Sequence, residues 1–509
     1  MRIAVVGAGA SAVCLLTALA DKEVAGANVT VFDPAEHPWR GRPYREDGPE
    51  IRVNAPPREM TVRKGEPDHF TAWTKHEATS AQLAEWTDPF TGDLFPTREF
   101  YGRYLAASAA EAADRLRRIG GEVVMRRDAV VSATRTPNQI VLQTGKGLHL
   151  GFDYGVLAPG VGTPSDHYRL SGEAGFIADP YPVVRRLRGL DPELAVAVLG
   201  SGLTAVDTVT ALRAQGHRGP VSLVSRHGVL PAVRQKYGPH DLKYFTVDYL
   251  RKRAADRERL TIEELTELMR RELEAAGADL SGLGDEFASV AAESPSERLR
   301  RQLSLVDSTD PGLRILQQAV PETGPDLWPH LPEKDKESVV GVHHRTLMSL
   351  CCPMVPGHAA ALVEMVNGGQ LSIVRGVLDV RPADGGFTVE AEGLSFTADV
   401  VVNAVSAPRH RIPALAAPLV ESLLKAGTAR SHAYGGLAIE ATSSRVEGPD
   451  GPDWRLYVLG DLAAGSLFFT FGVPSLVDRA VDIAEAIDCH SAHDRSARPA
   501  APPIARTAT

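Results

Sequence analysis

Two stretches of this chain nearly repeat each other. "RIAVVGAGASAVCLLTAL" occupies residues 2–19 and "VAVLGSGLTAVDTVTAL" occupies 196–212. Gly7, Gly9 and Ala12 recur as Gly200, Gly202 and Ala205, at a constant offset of 193 residues. In each copy a short apolar run leads into the glycines and a helix-patterned stretch follows. A second β-like run comes next, "VTVFD" at 29–33 and "VSLVSR" at 221–226. This is the order strand, tight turn, helix, strand. The first glycine makes the turn, the second lets the backbone approach a pyrophosphate, and the helix N-terminus receives its charge. The third position is Ala in both copies, small enough for helix to pack on strand. One loop of this kind serves one dinucleotide, so two predict two dinucleotide-binding units.

The residue closing the second strand differs between the copies, and the difference carries chemistry. Asp33 can accept hydrogen bonds from ribose hydroxyls, and it would repel a 2′-phosphate. Arg226, at the same offset, can grip such a phosphate with two parallel N–H donors, and Ser225 stands beside it. The first site therefore suits an unphosphorylated adenosine ribose, as in FAD, and the second suits NADPH.

The repetition extends beyond the loops. Each half has a hairpin-like stretch, at 129–145 and 376–393, then an apolar strand ending in a small-residue turn and proline, "YGVLAPGVGTP" at 154–164 and "DVVVNAVSAP" at 399–408. Gly160 lies in the first of these turns and is placed with the cofactor-binding residues. Strands alternating with helices predict an α/β fold with parallel sheets: two Rossmann-like domains. From about 240 to 345 the pattern becomes helical, with many charge pairs at i,i+4, which predicts a helical insertion with solvated faces. Near the end, "LYVLGDLAAGSLFFTFGVPSLVDRAVDIAEAI" at 456–487 brings a strand to Gly460–Asp461 and starts a helix near Pro474–Ser475. In two-dinucleotide flavoproteins such a turn holds the ribityl and pyrophosphate region of FAD, and the next helix aims its positive end at the flavin. The expected division is 1–175, first part of the FAD domain; 176–408, the NADPH domain with its insertion; 409–490, the rest of the FAD domain; and 491–509, a disordered tail rich in Ala, Pro, Arg and Thr.

Length and charge narrow the classes. At 509 residues the chain is too long for one core. A net charge of −9 gives no electrostatic footprint for nucleic acid or an anionic membrane. No run of apolar residues is long enough to span a bilayer, and the glycine spacing sets the N-terminus apart from a secretory leader. Cys14, Cys351, Cys352 and Cys489 form no C-x-x-C and no zinc spacing, which suits a reducing cytoplasm. His343 and His344 lack a carboxylate at familiar ligand spacing, so no metal is expected.

Several stretches together carry a family resemblance: "GAGASA" (7–12), "GRPYREDGPEIRVNAPPREMTV" (41–62), "FTAWT" (70–74), "FPTREFYGRYL" (95–105), residues 202–231, and "VHHRTLMSLCCPMVPGHAAAL" (342–362). Over residues 1–488 the chain resembles bacterial FAD/NAD(P)-binding proteins related to flavin-dependent N-hydroxylating monooxygenases, among them the nitrosuccinate-forming aspartate N-monooxygenases. The resemblance implies that Asn54, Pro57, Arg58 and Met60 stand against the flavin ring or the substrate. Arg58 has two readings, a substrate-carboxylate ligand or a structural salt bridge, and Arg98 has the same two. Relatives often carry Trp-Glu-Thr where this chain has Leu467-Phe468-Phe469-Thr470. If that Glu touches substrate, the pocket here is more apolar.

The reaction expected is a monooxygenation of a small molecule with O₂. NADPH reduces FAD, a C4a-hydroperoxyflavin forms, and oxygen passes to a nucleophile, by resemblance an amine or amino acid. Such a site chiefly excludes water. Two alternatives stay open: an NAD(P)H-dependent reductase passing electrons to another acceptor, and a non-catalytic FAD-binding redox sensor.

Overall fold

A computed structural model describes residues 1–238, 240–256, 260–407, 412–470 and 472–497. The first glycine phrase folds as strand β1 (Arg2–Val6), helix α1 (Ala10–Asp21) and strand β2 (Asn28–Phe32). Ile3 to Val6 are buried along β1, and α1 buries Ala12 to Ala20 without a break. A strand apolar on both faces and a helix apolar almost all round belong inside a covered parallel sheet. The second phrase gives β3 (Val196–Leu199), α2 (Leu203–Ala214) and β4 (Val221–Ser225), buried in the same way.

Each unit centres its glycine-loop strand in a sheet. The first sheet has six strands in the order 445–448, 451–458, 154–157, β1, β2, 122–126. Its β1–β2 pairing is parallel, with Ile3 opposite Val29 and Val5 opposite Val31. The second has five, in the order 371–375, β4, β3, 400–403, 176–177, all parallel. Strand 451–458 joins the first sheet beside 154–157, so the C-terminal segment completes the N-terminal unit. The fold is α/β with two Rossmann-like units, and each expected hairpin gains a third antiparallel strand, at 149–152 and at 394–398.

The insertion is helical. Among its helices are α3 (Ile262–Ala275), α4 (Leu280–Ala292), α5 (Gly312–Leu327) and α6 (His344–Cys351). Local sequence starts two of its helices: Thr261 and Glu264 form a capping box for α3, and Ser294 and Glu297 form one for the helix Pro295–Ser304. The insertion core gathers Leu273, Ile315, Trp328 and Leu350 and reaches Phe468 and Phe469 of the C-terminal segment.

One correction concerns the tail. Helix α7 runs from Val473 to Ala497, so the stretch expected to be disordered from 491 begins as helix. Strand 451–458 holds it: Arg455 pairs with Asp494, and Trp454 stacks on His490 with ring centroids 5.5 Å apart. Residues 498–509, and the expected boundary at Pro408, lie outside the described residues.

The units are joined by a buried ion pair. Arg98 reaches Asp207 of α2 at 2.7 Å, donates to the Tyr181 hydroxyl at 2.7 Å, and gives its Nε–H to the Arg52 carbonyl at 3.0 Å. Asp207 is almost fully buried. Burial pushes its carboxyl up to about 6 while the Arg98 charge pulls the other way. Of the two roles considered for Arg98, this is the structural one. Arg98→Ala would strand a buried carboxylate and is expected to destabilise the protein by about 3–5 kcal/mol. Urea unfolding measures this, and the double variant Arg98→Ala/Asp207→Ala should recover part of the loss.

Candidate active site

The two loops have the same backbone construction. Gly7 has φ +105°, donates its N–H to the Phe32 carbonyl at 2.8 Å, and lies so close to Ala158 that a Cβ would sit 2.0 Å from that carbonyl oxygen. Gly200 has φ +108°, donates to the Val224 carbonyl at 2.8 Å, and leaves 2.7 Å between an added Cβ and the Ala404 oxygen. No residue with a side chain fits either turn. Gly9 and Gly202 are the N-caps of α1 and α2, and neither helix has a side-chain cap. Thr79, Thr97, Thr261 and Ser294 cap their own helices. The first-turn amides of α1 and α2 are thereby left for an anion. Ala12 and Ala205, fully buried, let each helix sit close on its strand.

Asp33 does more than wait for a ribose. Its two oxygens accept N–H bonds from Ala8 and Ala35, each at 2.8 Å, which braces the first loop. Each oxygen keeps a second lone pair. In the second unit the Ser225 hydroxyl accepts from the Gly228 N–H at 2.9 Å and shapes the turn that exposes Arg226. Arg345 of α6 is a residue the sequence did not single out. Partial burial and the like charge of Arg226 hold its pKa below the usual arginine value. Like charges that oppose each other in this way add to a positive field that favours a nearby anion.

The C-terminal turn arrives at the first loop. Gly460 has φ +92°, and a Cβ there would lie 3.0 Å from the Ser11 hydroxyl of α1. Asp461 opens the short helical turn that follows. Gly160, φ +75°, borders open space with no atom within 4 Å of an added Cβ. Gly7, Gly9, Asp33, Gly460 and Asp461 are thus assembled around one helix end from opposite ends of the chain.

The segment "NAPPREM" is clamped by the second unit. Arg234 gives its Nε–H to the Asn54 carbonyl at 3.1 Å and its Nη1 to both oxygens of Glu59, each at 3.1 Å. Met60 is buried, and its carbonyl accepts from the Tyr101 hydroxyl at 3.0 Å. Both ends of the Arg58 fork are taken by Asp93, at 2.7 and 3.1 Å, and its guanidinium lies 3.8 Å from the centre of the Tyr237 ring. The guanidinium is thus paired with a carboxylate of the protein.

Beyond Asp461 the chain enters a strained turn. Phe468 has φ +63°, a conformation that costs a bulky residue about 1–3 kcal/mol. Its ring stacks on Trp328, centroids 4.6 Å apart at 25°. The Trp328 indole N–H donates to the Gly465 carbonyl at 2.8 Å. These packed contacts hold the strain in place.

Residues 4–162 match the model of the FAD-NAD(P)-binding family. No curated protein matches the chain. Among solved structures, the chain is similar to a cadaverine monooxygenase of Erwinia amylovora described as bound to FAD. That likeness has a TM-score of 0.59 at 13% identity, over 95% of this chain and 94% of the other. It is similar also to the ornithine N-hydroxylase of Kutzneria sp. 744, with reduced FAD, NADP⁺ and L-ornithine. There the TM-score is 0.54 at 14% identity, over 96% and 99%. An ornithine hydroxylase of Pseudomonas aeruginosa matches at a TM-score of 0.53 and 14% identity, over 96% and 99%. At these identities the likeness is one of fold.

Proposed function

We propose that this protein is an FAD-dependent, NADPH-using monooxygenase that hydroxylates the nitrogen of a small amine. The observation that carries the reading is the pair of uncapped glycine loops, one of them completed by the Gly460 turn and the other ending in Arg226. The residues fit the cofactors: glycines occupy the close-approach positions, bare helix ends face the pyrophosphates, and Asp33 and Arg226 carry opposite charges at equivalent places. On this reading 1–175 and 409–490 form the FAD domain and 176–408 the NADPH domain.

Bound FAD supplies hydride acceptance and oxygen activation. The chain supplies the rest. Amides of Gly9 and the first turn of α1 would hold its pyrophosphate, Asp33 its ribose, and Gly460–Asp461 would complete the site. The N-terminus of α7 would lend positive charge to the flavin, and Asn54 and Met60 would stand against the flavin or the substrate. Gly200, Gly202 and α2 hold the NADPH pyrophosphate, and Ser225 and Arg226 hold its 2′-phosphate. Phe468 and Trp328 keep water out. The overall change balances as R–NH₂ + O₂ + NADPH + H⁺ → R–NHOH + H₂O + NADP⁺.

The test is stoichiometry. With a turned-over amine, NADPH consumed should equal hydroxylamine formed, with little peroxide. Slow reoxidation in air, together with fast reoxidation by an added quinone or protein acceptor, would favour a reductase instead.

A further inference from the structure

The helical insertion forms a partly open pocket of about 430 Å³ between α3, α4, α5 and α6. Met269, Leu283, Phe287, Leu316, Leu327 and Phe468 line it. Its wall has three polar side chains, and each is already engaged with a main-chain carbonyl. Thr266 donates to Ile262 at 2.8 Å, Thr323 to Ala319 at 2.7 Å, and Trp328 to Gly465 at 2.8 Å. A charged or strongly polar molecule entering here would leave its hydration behind and find no partner. A hydrocarbon would lose nothing. The volume is well above the roughly 150 Å³ at which an apolar cavity holds a small hydrocarbon, and it lies within the range of about 300–1,000 Å³ found for ligand pockets.

The pocket wall includes a residue of the segment that follows Gly460–Asp461. Phe468 stands seven residues after Asp461, and its left-handed backbone turns the ring into the cavity wall. Gly324 of α5 lines the same space and lies close to the Phe469 ring, 3.0 Å from where a Cβ would stand. Strain in a bulky residue at such a junction marks a position that the surroundings enforce.

From this we infer that the cavity receives the uncharged hydrocarbon body, alkyl or aromatic, of the amine substrate. The amine end stays at the Phe468 side. This rests on the monooxygenase reading, and it departs from a short, doubly charged amino acid as substrate.

The experiment uses the flavin-loaded protein and two probes. N-phenyl-1-naphthylamine, an uncharged aromatic amine, reports binding by fluorescence; primary n-alkylamines from butyl to octyl report turnover. Gly284 lines the cavity on α4, and an added Cβ meets nothing within 4 Å. Gly284→Trp therefore starts its side chain in open space and adds a ring to the pocket, and Val320→Trp adds one from α5. The expected result is saturable one-site binding, weakened at least tenfold in both variants, with flavin absorbance unchanged. KM should also fall about fourfold per added methylene. Absent binding, binding equal in wild type and variants, or a KM indifferent to chain length overturns the inference. If the naphthylamine binds as expected but no amine is oxidised by NADPH-reduced protein, the reaction class fails, and with it the role of the cavity as substrate site. The binding arm still separates that failure from failure of the cavity itself.

Discussion

Gly9→Val is expected to yield a folded, colourless protein. The backbone at Gly9 has φ −96°, open to any L-residue, and an added Cβ meets only the Gly41 Cα, at 3.7 Å. The protein itself therefore accepts the valine, at no more than about 1 kcal/mol for the altered helix cap. The pyrophosphate that must lie against this amide does not. Overpacking of about 3 kcal/mol corresponds to a loss in flavin affinity on the order of a hundredfold. Flavin content by absorbance, beside far-UV circular dichroism and the thermal midpoint, checks it. Full flavin occupancy in the folded variant would refute the assignment of the first loop. Gly7→Ala differs in kind. There φ is +105° and the clash is with Ala158 inside the fold, so that variant should lose the fold along with the flavin.

A second large effect is expected on nucleotide choice. Arg226→Ala removes a charge-assisted contact to the 2′-phosphate, worth about 1.5–3 kcal/mol, or roughly tenfold to a hundredfold in the preference for NADPH over NADH. Arg345→Ala should lower the same preference in the same direction, because its charge adds to the positive field around Arg226. The measured quantity is the ratio of flavin-reduction constants for the two nucleotides. A ratio untouched by Arg226→Ala removes the 2′-phosphate from this position.

These two predictions also mark what the sequence can disclose. The loops were legible because a strand, a tight turn and a helix end are set by neighbours in sequence. Gly7 and Gly200 needed no structure to be found. The C-terminal turn was legible as a turn, but its contact with Ser11 depends on strand 451–458 entering the first sheet beside 154–157. The side chains around the segment 54–60 were not legible at all. Arg58 has its partner 35 residues away, and Arg234 reaches Asn54 across 180. Arg345 lies in the "HHRT" stretch, where the histidines drew attention to metal chemistry. The third strand of the first small sheet, "HLGF", is short and carries a glycine, so pattern alone passes over it. The tail misled for a related reason. Composition described residues 491–497 as disordered, whereas the end of α7 is fixed by Arg455 and Trp454, more than thirty residues earlier.

The central claim is that two similar loops hold two different dinucleotides. The measurement that meets it most directly is anaerobic absorbance of Gly202→Val. No atom lies within 4 Å of an added Cβ at Gly202, so the fold should accept the change. The account predicts a yellow protein with normal flavin content that dithionite bleaches at once, while NADPH, at concentrations that bleach the wild type, leaves it coloured. A colourless Gly202→Val protein, or one that NADPH bleaches as fast as the wild type, would contradict it.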